Sequence, residues 1–324
     1  MFQSLLDFLN SIPFFSSLTF GIIAMVIVGS SWCLVGLVMG DAPKKGIEPS
    51  LVQLGGSIFS VGMGLIIMLA TSAYSTSSLK VTFWTCLAYF VGSMLNFIML
   101  QLMSKAMQLG PNGVIWSIIQ SSLIFPFIGG ILFFGVEFTW LRGMGIFFLL
   151  TSLLLFAFTK DNSKHGSGIK WKLLAFAGMV LAAIQQNLHT MPSYYEAARG
   201  VPSIVRSLSA ASGLLFMSII WNLVQMNRER WDQIRKNIKN LTLWKYIAVL
   251  QLFGLIFSYT LFYPGMNIMA DKGLGGMSYP MMVGSCIVSF TLSSIWLLKE
   301  KIKFIQLAAL TVCLIGLCLI CTKA

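Results

Sequence analysis

Charged residues are scarce in this sequence of 324 amino acids: they make up 10% of it, and only 10 of them are Asp or Glu. A soluble domain of this length needs a far more polar surface, whereas 57% of these residues are hydrophobic. No acidic residue lies inside any of the long apolar runs. The composition therefore excludes a soluble protein and predicts an all-α integral membrane protein.

Patterns for catalysis and metal binding are also missing. The 2 histidines, His165 and His189, have no HxxxxD pattern, paired carboxylates or metal-ligand spacing around them, and the 6 cysteines form no CxxC pair. We therefore predict that the chain is not an enzyme, and that it holds no cofactor and no metal. A membrane-embedded transferase is kept as a less favoured alternative.

Long apolar runs dominate what is present. A bilayer core about 30 Å thick takes roughly 20 apolar residues per helix. We identify ten such runs and predict a transmembrane helix in each, near 17–39, 50–72, 81–104, 111–135, 140–159, 170–190, 202–226, 243–267, 277–297 and 303–322.

The net charge of +12 is explained by membrane topology and not by a nucleic-acid partner. Of the 22 basic residues, 16 lie in the loops that follow odd-numbered runs, 5 lie on the opposite side, and Arg206 lies within a run. Basic loops stay on the cytoplasmic side, so the first helix runs from outside to inside. This predicts a multi-pass protein of the cell inner membrane with both termini on the external side.

One phrase occurs twice in the chain. Pro49-Ser50-Leu51-Val52-Gln53 matches Pro202-Ser203-Ile204-Val205-Arg206 at an offset of 153 residues, and Gly110 and Gly113 match Gly273 and Gly276 at an offset of 163. Because each copy contains an odd number of helices, the second copy crosses the membrane in the opposite orientation to the first. The matches predict two inverted five-helix repeats, 17–160 and 170–323, a plan that is typical of secondary transporters.

Two matching segments, 109–140 and 272–302, carry a family resemblance. In each, a Gly-rich turn leads a run that ends on a Glu, at Glu137 and Glu300. These segments resemble the drug/metabolite transporter superfamily, and LLKEK (297–301) and YYEAARGVPS (194–203) are most similar to its bacterial rhamnose-type sugar porters. The resemblance implies ten spans, transport of a sugar or a similar metabolite, and a coupling proton.

Polar side chains at membrane depth are the candidate substrate-binding residues, because lipid offers them no partner. Aromatic faces and amides suit a polyol ring, although each amide taken alone is also explained by an interhelical hydrogen bond. The candidates are Trp32, Gln53, Asn96, Trp116, Gln120, Gln185, Gln186, Asn187, His189, Arg206, Tyr259, Tyr263, Asn267 and Tyr279.

Arg206 has two explanations that the sequence leaves open. It lies about one turn below the predicted helix start, so its side chain could snorkel to the external surface. Alternatively it contacts an anionic substrate at the external mouth or pairs with Glu196 in a gate. Gln53 is its uncharged counterpart near the cytoplasmic mouth.

The favoured function is secondary transport of a small polar metabolite, with a sugar or sugar-like compound preferred. An amino-acid or organic-anion permease or exporter is the alternative. A multidrug exporter is less favoured because it commonly needs a buried carboxylate. The expected partners are the small-molecule substrate and the lipid bilayer, and a coupling proton, with His189 as one candidate carrier, is left open. The sequence does not predict the oligomeric state.

Overall fold

The structure is a computed structural model that describes residues 16–73, 76–110, 112–157, 169–297 and 304–321. The matched Glu300 lies outside the described residues. The described first half contains α1 (Leu18–Asp41), α2 (Pro49–Thr71), α3 (Leu79–Leu109), α4 (Asn112–Gln120), α5 (Ile124–Phe134) and α6 (Trp140–Ala157). The second half contains α7 (Ile169–Tyr194), α8 (Glu196–Arg199), α9 (Ser203–Val224), α10 (Arg228–Ile238), α11 (Leu241–Phe257), α12 (Tyr263–Asp271), α13 (Ser278–Leu297) and α14 (Phe304–Cys321).

Local chemistry sets the helix ends. Ser17 caps α1 by accepting a hydrogen bond from the Phe20 amide at 3.2 Å. Pro49 takes the first position of α2, where its missing N–H costs nothing. Gly135 ends α5 with a φ of 64°, a left-handed conformation that glycine adopts without steric cost. These three residues place helix ends close to the ends of the apolar runs.

Helices occupy all ten predicted positions, and two of those positions are broken in the middle. A 3-10 turn, Ser121–Leu123, separates α4 from α5, and a π turn, Ser258–Phe262, separates α11 from α12. The π turn precedes Pro264, which has no N–H to donate to the carbonyl four residues earlier. Among the described residues the secondary structure is helical and contains no strand.

Several helices have the length and the surface of membrane segments. Within the described ranges, 5 are long and apolar enough to cross a membrane: Leu18–Lys45, Pro49–Thr71, Leu79–Leu109, Val114–Phe134 and Ser203–Val224. Their outer surfaces carry large apolar side chains that a soluble protein would bury, such as Leu69 and Phe133, which are 69% and 79% exposed. The fold is therefore that of an all-α membrane protein.

Close helix pairs build the bundle. Helix α3 packs on α7 and α9, α1 packs on α13, and α6 packs on α14. Glycines allow the closest approaches: a Cβ on Gly29 would collide with the backbone of Met282, and one on Gly213 would collide with the carbonyl of Phe90. Two buried apolar clusters result, one around Met25, the other around Met103.

Candidate functional site

A cavity of about 310 Å³ lies between the two apolar clusters. Its lining comes from α1, α2, α3 and α4 in the first half and from α7, α9, α11, the π turn, α12 and α13 in the second. Ligand pockets in proteins range from roughly 300 to 1,000 Å³, so this volume suits a small molecule.

The cavity gathers most of the polar and aromatic residues that the sequence nominated. Ten of the 14 candidates line it: Trp32, Gln53, Asn96, Trp116, Gln120, Gln185, Gln186, His189, Tyr263 and Tyr279. These residues come from positions up to 247 apart in the chain, between Trp32 and Tyr279. Their convergence is a property of the fold, and it places amides and aromatic rings around one space.

The other four candidates lie outside the lining. Asn187 turns back to its own helix and donates to the Ala183 carbonyl at 2.9 Å. Tyr259 lies in the π turn, half-buried, and Asn267 accepts a hydrogen bond from Arg206 at 3.0 Å. Arg206 itself is directly behind the wall, since its chain neighbour Ser207 lines the cavity.

A hydrogen-bonded chain of three side chains links α3 to α7 beside the cavity. The Gln185 amide nitrogen lies 2.9 Å from Nδ1 of His189, and Oγ of Ser93 lies 3.5 Å from Nε2. The contact pairs an amide with a ring nitrogen, and it fixes the orientation of the imidazole beside the cavity. Gly92 makes room for the ring, because a Cβ there would come within 2.6 Å of it.

Gln186 lines the cavity and links α7 to the turn between α4 and α5. Its Nε2 donates to Oγ of Ser122 at 2.9 Å, across to the 3-10 turn between α4 and α5. Its Oε1 is buried and has no hydrogen-bond partner among the described residues. A buried acceptor without a partner is costly, so Oε1 is a polar group that the described helices leave unsatisfied.

Aromatic rings form another part of the lining. Trp32 and Tyr279 pack with ring centroids 5.7 Å apart at 47°. The rings of Tyr263 and Tyr89 meet edge to face, with centroids 4.9 Å apart. Trp116 fits against α1 because residue 36 is glycine, where a Cβ would approach its ring to 2.9 Å. The surfaces offered to a ligand are flat and apolar with polar edges.

Sequence reasoning missed five polar residues of the lining, namely Ser60, Ser93, Ser207, Gln251 and Ser258. Ser60 of α2 donates a hydrogen bond to Oε1 of Gln251 of α11, and Ser207 and Ser258 lie elsewhere in the wall. Gln251 reaches α2 because residue 56 is glycine, where a Cβ would collide with the amide nitrogen. Gln251 lies inside a predicted span and was therefore detectable by the same argument as the other amides. Serines hydrogen-bond within helices so commonly that they give no comparable indication.

Arg206 is completely buried, and the snorkelling explanation is wrong. Its Nε donates to the Val201 carbonyl at 2.9 Å, one terminal nitrogen donates to the Ala198 carbonyl at 2.7 Å, and the other donates to Asn267 at 3.0 Å. The guanidinium turns back to the segment before its own helix and fastens it to α12. In the described part of the chain no ion pair joins it to Glu196, so the predicted pairing is also wrong.

A second arginine strengthens the same end of the bundle. Arg199 of α8 forms an ion pair with Asp271, the last residue of α12, and its Nε donates to the Ser193 carbonyl at 2.7 Å. The connection from α7 to α9 is therefore joined to α12 at two points, by Arg199 and by Arg206. The joined segments lie next to Ser207 and Tyr263, which line the cavity.

Comparison with known proteins supports the fold and leaves the activity open. No family model and no curated protein matches the chain. A solved structure, described only as a crystal structure of a protein, superposes with a TM-score of 0.65 over 94% of this chain and 96% of that chain. The two sequences are 13% identical. A solved protein thus adopts a similar helical arrangement over nearly the whole length.

Proposed function

We propose that the protein is a secondary transporter that moves a small, neutral, polar metabolite across the inner membrane by alternating access. A sugar or sugar-like compound is the favoured substrate. The observation that carries this proposal is the cavity, which both halves of the chain line with amides and aromatic rings. Among the described residues its wall contains no Asp, Glu, Lys or Arg.

The uncharged wall argues for a neutral substrate. An ion that leaves water for a low-dielectric interior needs a counter-charge, and without one its burial costs several kcal/mol. Arg206 lies behind the wall, and its three hydrogen bonds go to two carbonyls and Asn267, so its guanidinium is not a lining group that pairs directly with a ligand. An organic anion or an amino acid is therefore the weaker candidate. A polyol is satisfied by the amides and by stacking on Trp32 and Tyr279.

The helices around the cavity also support the inverted repeat. The first four predicted spans of each half contribute to the wall, and the fifth spans, α6 and α14, contribute nothing to it within the described ranges. Instead α6 and α14 pack on each other. Trp116 and Tyr279, which correspond between the repeats 17–160 and 170–323, both face the cavity. We infer that the two five-helix repeats meet at the substrate site.

The arginine contacts indicate which conformation the structure represents. On the topology given by the basic loops, Arg199, Arg206 and Asp271 lie on the external side. These contacts then close the cavity to the outside, and alternating access requires them to open. Interrupted helices help such a change, since the 3-10 turn and the π turn both adjoin the cavity.

A ligand screen followed by flux measurement tests the proposal. The purified protein is heated with sugars and polyols, organic acids, amino acids and lipophilic cations, because a ligand of the folded state raises the melting temperature. We expect stabilisation by neutral polyhydroxy compounds, and uptake of the same compound into liposomes. Stabilisation by acids or cations alone overturns the neutral-substrate proposal, and binding without net movement of solute overturns transport.

Two neighbouring residues give a matched pair for the site. Gln186→Leu removes an amide that lines the cavity, whereas Asn187→Leu removes one that bonds only to its own helix. We expect Gln186→Leu to weaken binding of the compound identified in the screen about tenfold, which corresponds to roughly 1.4 kcal/mol. Asn187→Leu should bind it as the parent does. Equal affinities in the two variants would contradict the proposal that the substrate binds in the cavity.

A further inference from the structure

Helix α10 is a polar, amphipathic helix that connects α9 to α11 at the end of the bundle rich in basic residues. Its sequence, RERWDQIRKNI, contains three arginines and one lysine among 11 residues. Asn227 caps it by accepting a hydrogen bond from the Arg230 amide at 2.7 Å. The helix enters α11 after two residues, so it lies next to the predicted membrane surface.

One side of α10 is fastened to the bundle. The Arg230 guanidinium is buried and donates to Oγ of Ser50 at 2.6 Å and to Oδ1 of Asn222 at 2.8 Å. It also pairs with Glu48 at 3.0 Å. Seven residues later, Oδ1 of Asn237 accepts a hydrogen bond from the Glu48 amide at 3.3 Å. These contacts fix the rotation of α10 and therefore which of its residues face outwards.

The adjacent side of α10 is an exposed apolar stripe. Trp231 and Ile238 are seven residues apart, so they share one line along the helix, and they are 47% and 51% exposed. The stripe continues onto α11 through Trp244, whose Nε1 donates to the Ile238 carbonyl at 2.8 Å. Tryptophan is enriched where membrane meets water, and this stripe has the composition of an interfacial surface.

A basic stripe borders the apolar one. Arg228, Arg235 and Lys239 are spaced seven and four residues apart, so they too lie along one line, and all three are exposed. The Arg235 guanidinium lies 5.2 Å from the centre of the Trp231 ring, which joins the two stripes. At the same end of the bundle, the Lys105 ammonium lies 5.3 Å from the centre of the Trp221 ring.

We propose that α10 lies along the cytoplasmic membrane surface and binds the phosphate groups of anionic lipids. Trp231 and Ile238 enter the boundary between headgroups and acyl chains, and Arg228, Arg235 and Lys239 contact the phosphates. A lipid surface is the partner that fits both stripes at once, because it offers apolar chains and negative charge at adjoining depths. Inorganic phosphate would satisfy only the basic stripe.

Thermal unfolding of the full-length protein in mild non-ionic detergent tests this site. Mixed micelles containing phosphatidylglycerol or phosphatidylcholine are titrated in, and glycerol phosphate is titrated separately as a soluble headgroup. The test variant is Arg228→Gln/Arg235→Gln/Lys239→Gln. The matched control is Lys44→Gln/Lys170→Gln/Lys172→Gln, which removes three exposed positive charges from the same end of the bundle.

We expect phosphatidylglycerol to raise the melting temperature of the parent and the control, with an apparent affinity about tenfold or more weaker in the test variant. A test variant that responds as the parent does overturns the site. Equal stabilisation by phosphatidylcholine overturns the recognition of charge. Stabilisation by glycerol phosphate alone, at the same headgroup concentration, overturns a lipid surface as the partner. None of these results depends on the transported substrate.

Discussion

Replacing Arg206 with glutamine tests whether its contacts hold shut the end of the cavity that the proposed topology places outside. The guanidinium is fully buried and makes three hydrogen bonds, to the carbonyls of Ala198 and Val201 and to Asn267. Glutamine is shorter, and its single NH₂ group carries two N–H donors, so it can replace two of these three bonds at most. The segment before α9 would then lose one of its two attachments to α12, while the Arg199–Asp271 ion pair would remain.

The size of the effect follows from these bonds. Hydrogen bonds from a charged donor contribute about 1.5–3 kcal/mol each, so three give roughly 5–9 kcal/mol before other costs. Taking the guanidinium out of water offsets several kcal/mol of that sum. We therefore expect Arg206→Gln to destabilise the closed arrangement by about 2–4 kcal/mol relative to the open one, in which the guanidinium of the parent protein is hydrated. The ratio of open to closed molecules then rises roughly 30- to 1,000-fold.

Cysteine labelling measures this shift. Ala210 lines the cavity one turn beyond Arg206, so Ala210→Cys reports access from outside when treated with a membrane-impermeant maleimide. We expect faster labelling in the Arg206→Gln background and an intermediate rate with Arg206→Lys, because an ammonium cannot span all three acceptors. Arg142→Gln is the control, since Arg142 is also buried but donates to the Glu137 carbonyl outside the cavity wall. Equal labelling rates for parent and Arg206→Gln would refute the gate.

Three further predictions concern packing, anchoring and binding. Gly213→Ala should lower the free energy of unfolding by about 1–3 kcal/mol, because its Cβ would collide with the carbonyl of Phe90 and separate α9 from α3. Arg230→Gln should lower it by about 2 kcal/mol, since the bonds to Ser50 and Asn222 are lost while the half-exposed ion pair contributes little. Gln251→Leu should weaken ligand binding about tenfold, since it removes an amide from the cavity wall.

Each of these variants has a matched control. Gly62→Ala places a Cβ in open space and should leave thermal stability unchanged or slightly higher, so an equal loss in both glycine variants would contradict the packing argument. Arg228→Gln removes an exposed charge two residues from Arg230, and it should change stability in lipid-free detergent by less than about 0.5 kcal/mol. Gln233→Leu changes an exposed amide on α10, and ligand affinity that falls as much there as in Gln251→Leu would exclude a specific role for Gln251.

The candidate site shows how far inference from the sequence reached. Depth in an apolar run was enough to nominate Trp32, Gln186 and Tyr279, which the fold brings to one wall. The same argument could not separate Gln186 from Asn187, because adjacent residues on a helix differ by about 100° and only the packing of neighbouring helices decides which one faces inwards. Whether these residues bind a substrate stays a prediction.

Arg206 illustrates the other limit. Its distance from the helix start was correct, and a side chain at that depth could reach the surface. The structure buries it because the segment 196–202 folds back over the start of α9 and offers two carbonyls within reach. Every residue has a backbone carbonyl, so no pattern of residue types could have predicted which carbonyls accept hydrogen bonds from Arg206.

The sequence by itself determined the helices, because lipid requires the backbone to satisfy its own hydrogen bonds and apolar runs of the right length achieve this in one way. It also determined that the apolar runs carry no acidic side chain, since the acidic residues lie outside them. Only the tertiary structure decided which amides share a cavity, which glycines let helices touch, and where the buried arginine finds its acceptors. These features depend on contacts between residues far apart in the chain, because the packing of one helix against another decides which side chains face each other.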